Sequence, residues 1–218
     1  MSTDVVNPER LIEEGVFLPR DVPLWQAAKP FLDVRNNDEH TIIAYALGRM
    51  FLRDVPEADE SVVLPAIVLH DVGWKRIPKE LLLDAIGSRP TRLDLVREHE
   101  VQGVEIAREI LTRVKPIGVD HEAVLAIIDG HDTRDEALNV NDAVMKDSDK
   151  GWRLTPHGIR TIQNWYEEAD LPWFIDMVER RSNPKMLTKA GQSFARAVTA
   201  SLKAEDMLSR YMGETNDE

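Results

Sequence analysis

The chain contains no cysteine. Disulfides and thiolate ligands are therefore excluded, so any metal must be held by nitrogen and oxygen donors, and a cysteine-free chain fits a cytoplasmic protein. Long hydrophobic runs are missing too. The longest, residues 62–69, contains a proline and falls far short of the ~18–20 apolar residues that cross a bilayer, so no membrane association is expected. The first ten residues are polar and acidic and lack the apolar centre of a signal peptide. Basic charge is the third shortage: 27 Lys and Arg stand against 39 Asp and Glu, a net charge of −12. Such a surface is not expected to carry a broad phosphate-backbone footprint, which argues against extended nucleic acid as a partner. Small anions are not excluded, because a local basic pocket outweighs the distant field at a screening length of ~8 Å. No internal repeat is visible, and the acidic tail from Gly213 is the only biased stretch. The 218 residues suit one globular domain with a sizeable core, or one domain with a small appendage; oligomeric state stays open.

What the chain does have is a set of metal-ligand residue types in a telling arrangement. His70 and Asp71 adjoin at the end of the longest apolar run, with His40, His99, His131, Asp147 and Asp149 on either side. Imidazole and carboxylate together suit a divalent ion such as Mn, Fe, Co, Ni, Zn or Mg. Periodicity predicts that most of these side chains point where the aliphatic ones point. In 36–52, His40 shares a helical stripe with Ile43, Leu47 and Phe51; in 91–111, His99 shares one with Val96, Gly103, Ala107 and Ile110. In 120–130, Val124, Ile127 and Ile128 lead to His131 past a helix end marked by Gly130, and in 141–152 Met145, Asp149 and Trp152 fall on one line. Polar groups that repeatedly reach buried faces need partners inside, and one metal centre satisfies several. The alternative for His40, His70, Asp71 and Asp149 is a buried polar network without metal. For His99 and His131 it is a hydrogen-bonded core histidine or a substrate contact.

Nearly every segment reads as helix. Residues 61–69 also suit a strand, but Pro65 argues against a central strand and is tolerable near the first turn of a helix capped around Ser61. Loops are expected at 19–23, 53–57, 73–78, 87–90, 114–119 and 133–139. From Thr155 the texture changes: Trp165, Trp173 and Phe174 enrich two short helices, and 185–211 forms a last one. The expected organisation is an all-α bundle with an N-terminal helical segment over 1–35, a metal-binding core over 36–154, and C-terminal helices over 155–218 packed on that core.

The order histidine, His-Asp doublet, late aspartate resembles the HD superfamily of metal-dependent phosphohydrolases, which implies an HD-domain-like helical bundle with a C-terminal helical extension. His40 matches the first histidine, His70 and Asp71 the doublet, and Asp149 in Asp147-Ser148-Asp149-Lys150 the final aspartate. The resemblance covers roughly residues 36–153. His99 and His131 resemble the extra histidines of branches that bind two ions, which implies one or two metals per chain with Asp71 bridging; two ions ~3.5–4 Å apart can clamp attacking and leaving oxygens. The chain departs from two subgroups. Asp132, Thr133 and Arg134 follow His131, where cyclic-dinucleotide phosphodiesterases carry a second histidine and Gly-Tyr-Pro. Val72, Gly73, Trp74, Lys75 and Arg76 follow the doublet, where alarmone hydrolases and deoxynucleoside 5′-monophosphatases place acidic residues.

The implied reaction is hydrolysis of a small phosphorylated, nucleotide-like molecule by a metal-activated water, with Asp71, Asp132 and Lys75 as catalytic candidates. Lys75, Lys150 and Arg153 flank ligands and are candidates for binding phosphate, and His157 follows a helix start that favours an anion. For the three cations and His157 the competing reading is solvated surface. Trp74 is expected as a wall beside the site, Trp165 and Trp173 as core, and Asp147 as a supporting or surface carboxylate. A second branch of the superfamily resembles the same six-ligand set and implies a mixed-valent di-iron oxygenase acting on a polyol or phosphonate. A protein that holds metal without turnover is the third option.

Overall fold

A computed structural model describes residues 15–86, 91–165 and 170–214. The polar N-terminus, the 87–90 loop and the last residues of the acidic tail lie outside them. Among the described residues the fold is all-α, without a strand. Helix α1 (Val22–Ala28) is followed by α2 (Asn37–Asp54), α3 (Glu60–Leu69), α4 (Leu82–Ile86), α5 (Leu93–Val114), α6 (His121–Ile128) and α7 (Val140–Trp152). The C-terminal part contributes α8 (Pro156–Trp165), α9 (Leu171–Met177) and α10 (Lys189–Glu214).

Local chemistry starts these helices. Asp59, Asp120 and Asn139 each accept a backbone N–H of the first turn of α3, α6 and α7, from Ser61, Ala123 and Asp142, the role for which short polar side chains are preferred at N-caps. The cap of α3 is therefore Asp59 rather than Ser61, and Pro65 lies inside the helix, among buried Leu64 and Ala66. The 19–23 loop expected from Pro19 and Pro23 is instead helical, a 3-10 turn Pro19–Asp21 leading into α1, because a proline near a helix start sacrifices an N–H that would lack a partner anyway. The 73–78 segment likewise winds into a 3-10 turn, Val72–Arg76.

Helix α3 is the centre of the bundle. Residues 62 to 69 are all buried, and α3 packs on α2, α6 and α7, so no polar face survives. Helix α2 lies along α7, and α5 packs on the 72–76 turn, α1 and α6. These contacts fix where the ligand-type residues emerge. The stripe of α2 that faces inward is His40, Ala44, Leu47, Gly48 and Phe51, while Ile43 is only half-buried. Residues 154–202 build a second apolar cluster around Phe174, Val178 and Met186, joined to the main core through Phe194. Helix α10 packs against α7.

Candidate metal centre

His40 sits in the first turn of α2, His70 caps the C-terminal end of α3, and Asp71 opens the 72–76 turn. His99 lies within α5, His131 and Asp132 just past α6, and Asp149 in the last turn of α7. The first five and Asp149 are all buried; Asp132 is partly open.

Two clusters share one carboxylate. In the first, Nε2 of His40 and Nε2 of His70 are 3.0 Å apart, Asp149 Oδ1 is 3.3 Å from His40 and 3.8 Å from His70, and Asp71 Oδ2 is 3.7 and 3.4 Å from the same nitrogens. In the second, Nε2 of His99 and of His131 are 3.3 Å apart, Asp71 Oδ1 is 3.8 and 3.6 Å from them, and Asp132 Oδ2 is 3.8 Å from both. Asp71 thus turns one oxygen to each pair of imidazoles. Trp74 Nε1 donates to Asp71 Oδ1 at 3.1 Å, and the same indole stacks on His99 with ring centroids 3.9 Å apart. Trp74 is a wall, as expected, and also a holder of the bridging carboxylate.

The donor set fits a divalent ion. His70 Nδ1 lies 2.8 Å from the Ile67 carbonyl and His131 Nδ1 3.0 Å from the Ile128 carbonyl, each three residues back at a helix end. A carbonyl only accepts, so Nδ1 carries the hydrogen, and in the neutral ring Nε2 is left to present a lone pair to the cluster. Imidazole nitrogens 3.0–3.3 Å apart can be bridged by a shared proton or by a metal ion, and the carboxylates beside them favour a positive species in either case. Bonds of ~2.1 Å to one ion separate its donors by roughly 3–3.5 Å, close to what is seen here. The groups His40, His70, Asp149 and His99, His131, Asp132 each bring their donor atoms within 4.8 Å of one another. His99 Nδ1 is buried without a hydrogen-bond partner, so no second contact fixes that ring's tautomer.

Electrostatics follow the geometry. Burial pushes Asp71 up, but the surrounding imidazoles of His70, His131, His40 and His99 together outweigh it and hold the carboxylate far below its usual range. Asp149 behaves likewise, with His40 and Arg153 opposing burial. Burial lowers His70, and burial with His131 nearby lowers His99 to about 4. Burial also disfavours charge on His131, yet the Asp71 and Asp132 carboxylates beside it raise it to about 9.

The family model for the HD domain matches residues 37–151, more than half of the chain and the stretch that holds every residue of both clusters. The chain belongs to the HD domain family. No curated protein and no solved structure matches it. The HD domain suggests a metal-dependent, hydrolase-like activity, and its His and Asp side chains are placed to hold a divalent ion.

A cavity of about 600 Å³ opens from the HD centre, lined there by His40, Asp71, Asp132 and Asp149. Lys150 and Arg153 line it as well. Lys75 does not: it pairs with Asp33 at the surface. His157 is also absent from the lining, since its Nε2 meets Glu39 at 2.7 Å behind Trp152. Asp147 is neither ligand nor surface group. It is fully buried and accepts from the backbone of Leu187 and Thr188 and from the Thr188 hydroxyl. Trp165 and Trp173 are half-buried: they pack against the second apolar cluster, as expected, and also line the cavity.

Two contributors were not anticipated from the sequence. Glu100, fully buried, accepts from the backbone of Asp132 and Thr133 and from the Thr133 hydroxyl, and so anchors the loop carrying His131 and Asp132. Its signal was present: it falls on the 96, 103, 107 stripe, where a charged residue has to be explained. The second is a group of cations from 180–185 at the cavity. No local pattern announces them, because the contact joins segments far apart in the chain.

Proposed function

We propose that this HD domain protein is a cytoplasmic metal-dependent phosphohydrolase acting on a small phosphorylated, nucleotide-like molecule. The observation that carries the reading is Asp71, whose two oxygens are divided between two imidazole pairs at the base of a cavity that also presents Lys150 and Arg153. His40, His70, Asp71 and Asp149 would hold one divalent ion, and His99, His131, Asp71 and Asp132 a second. An ion bound there supplies a water acidic enough to act as nucleophile near neutral pH, and positive charge for phosphoryl oxygens.

The remaining work belongs to the protein's own side chains. Trp74 fixes the rotation of the Asp71 carboxylate through its indole N–H, and Glu100 fixes the loop bearing His131 and Asp132. Asp132, the most open of the three carboxylates of the two clusters, lines the cavity as an acceptor for a proton leaving water. Lys150 and Arg153 neutralise the phosphate, and the half-buried indoles of Trp165 and Trp173 line the cavity where a base would lie.

The test is a panel of nucleotides and generic phosphoesters assayed with Mn, Co, Ni, Mg and Fe, in air and without it, together with metal analysis of anaerobically purified protein. Turnover of an ester, abolished in Asp71→Ala, is the expected result. If no ester is hydrolysed with any metal, yet protein carrying two irons consumes oxygen with a polyol or phosphonate, the oxygenase reading replaces this one.

A further inference from the structure

The chain carries an excess of acid, but its main cavity does not. Arg35, Lys150, Arg153, Arg180, Arg181 and Lys185 line it, whereas the acidic lining residues are Asp71, Asp132 and Asp149, all of them in the metal centre. Half of these cations come from one short stretch of the C-terminal extension, which lies outside the 37–151 match to the HD family. Four of the five tryptophans, at 74, 152, 165 and 173, line the same space. Arg35 stacks on Trp165 with its guanidinium 4.3 Å from the ring centroid.

The stretch is held in place by its own packing. Residues Val178–Ser182 form a single π-helical turn, a rare form that is frequent at functional sites. Val178 and Met186 are buried in the second apolar cluster, and Asn183 Nδ2 donates to Thr199 Oγ1 of α10 at 3.1 Å. The turn's local acids are already engaged: Asp176 with Arg180, and Glu179 with Lys203. That leaves Arg181 and Lys185, neither of which lies within 4 Å of a carboxylate among the described residues. Two positive charges without local acid partners match one dianionic group.

We infer that Arg181 and Lys185 form a second anion subsite, so that the substrate carries a phosphate which is not hydrolysed, set apart from the reacting phosphate by a sugar whose attached base lies against the tryptophans. The subsite rests on the phosphohydrolase reading for the role of the metal end alone. The acceptor geometry of phosphate suits a guanidinium and an ammonium acting together.

The experiment uses the full chain with Mn and three probes: adenosine 5′-monophosphate, adenosine 3′,5′-bisphosphate and ADP. Binding is read from quenching of the cavity tryptophans, and turnover is measured in parallel. The bisphosphate, which carries its phosphates on two different hydroxyls of the ribose, is expected to bind about tenfold tighter than either other probe at low salt. Arg181→Ala with Lys185→Ala should erase that advantage, acting on KM far more than on kcat. Arg113→Ala, an exposed cation on α5 away from the cavity, should leave it intact. The inference is overturned if ADP gains as much as the bisphosphate, if the double variant weakens all three probes alike or none, or if no probe binds. Preferential binding of the bisphosphate without hydrolysis of any ester would keep the subsite and remove the hydrolase reading.

Discussion

Gly73→Ala tests whether the two halves of the metal centre are held by close backbone packing. Gly73 lies in the turn that follows His70 and Asp71, pressed against α5 where His99 sits. A Cβ built at this position falls 1.9 Å from the His99 carbonyl oxygen and 2.5 Å from the Gly103 nitrogen. Both obstacles are backbone, so no rotamer change relieves them. Ordinary contact at ~3.5 Å requires the turn and the helix to separate by roughly 1.5 Å. The Asp71 Oδ1 distances to His99 and His131 are 3.8 and 3.6 Å, and metal ligation tolerates errors of only ~0.2 Å. The second cluster should therefore open, because its imidazoles follow α5 and α6 while Asp71 follows the turn.

Gly103→Ala supplies the contrast. Its nearest neighbours would be the His70 carbonyl oxygen and Ile128 Cγ2, both at 3.4 Å, an ordinary contact. Replacing a glycine inside a helix by alanine also favours the helix by ~1 kcal/mol. The two variants are compared by urea denaturation, by metals counted per chain, and by turnover of whichever ester the wild type hydrolyses. Gly73→Ala is expected to lose about 1–3 kcal/mol of stability or more, one metal equivalent, and about a hundredfold in activity. Gly103→Ala is expected to stay within about 1 kcal/mol of wild type with full metal content. Native metal content in Gly73→Ala, or equal damage in both, would refute the reasoning.

Asp71→Ala should lower both metal equivalents and reduce turnover by orders of magnitude, whereas His99→Ala or His131→Ala should remove one equivalent; unchanged stoichiometry in the histidine variants returns them to structural roles. Arg153→Ala, which removes a cation from both the cavity and the neighbourhood of Asp149, should raise KM about tenfold while leaving the metal count intact, and a lost metal would contradict the assignment. Tyr45→Phe should cost about 1.5–3 kcal/mol near neutral pH, because the hydroxyl donates to the buried Asp21 carboxylate at 2.6 Å and accepts from Leu18 N at 3.2 Å. Burial raises Asp21 above its ordinary 3.8, and the Tyr45 hydroxyl holds it down. Losing that donor raises it further, so the deficit is full above the variant's Asp21 pKa and shrinks as pH falls through it; a deficit that stays constant from neutral to acid pH would disprove the link.

The residues of the two clusters were legible because a buried polar group and helix packing obey the same local rule. His40, His99 and Asp149 lie on stripes of aliphatic residues, and the structure buries them there. His70 and His131 were readable as residues at the ends of apolar helices, and both proved to bond the carbonyl three residues back. What escaped was anything set by partners distant in sequence. Lys75 follows the doublet and reads as a phosphate contact, but Asp33 from the segment before α2 captures it. Trp165 and Trp173 read as core from their size and do pack on the second apolar cluster, but that they also line the cavity was not readable. The cations of 180–185 were hidden for another reason. In a chain of net charge −12, local neutralisation of Asp176 and Glu179 is visible only once the fold pairs them.

Asp147 and Asp149 show how one helix ties the extension to the metal centre. Two residues on an α-helix differ by about 200°, so their side chains leave opposite faces of α7. Asp149 meets His40 on one side; Asp147 receives Leu187, Thr188 and the Thr188 hydroxyl on the other, at the entrance to α10. A Cβ on Gly191 would fall 2.3 Å from Asp147 Oδ2, so α10 approaches as closely as a glycine permits. Burial raises Asp147, and those three donors offset part of the cost of keeping it in its ionised form. The positions of Arg181 and Lys185 are thereby referred to the same rigid element that carries Asp149, since the 178–185 turn runs directly into the residues that Asp147 grips. A substrate spanning from the metal centre to those cations would be measured against a distance set by α7, a helix buried along nearly its whole length.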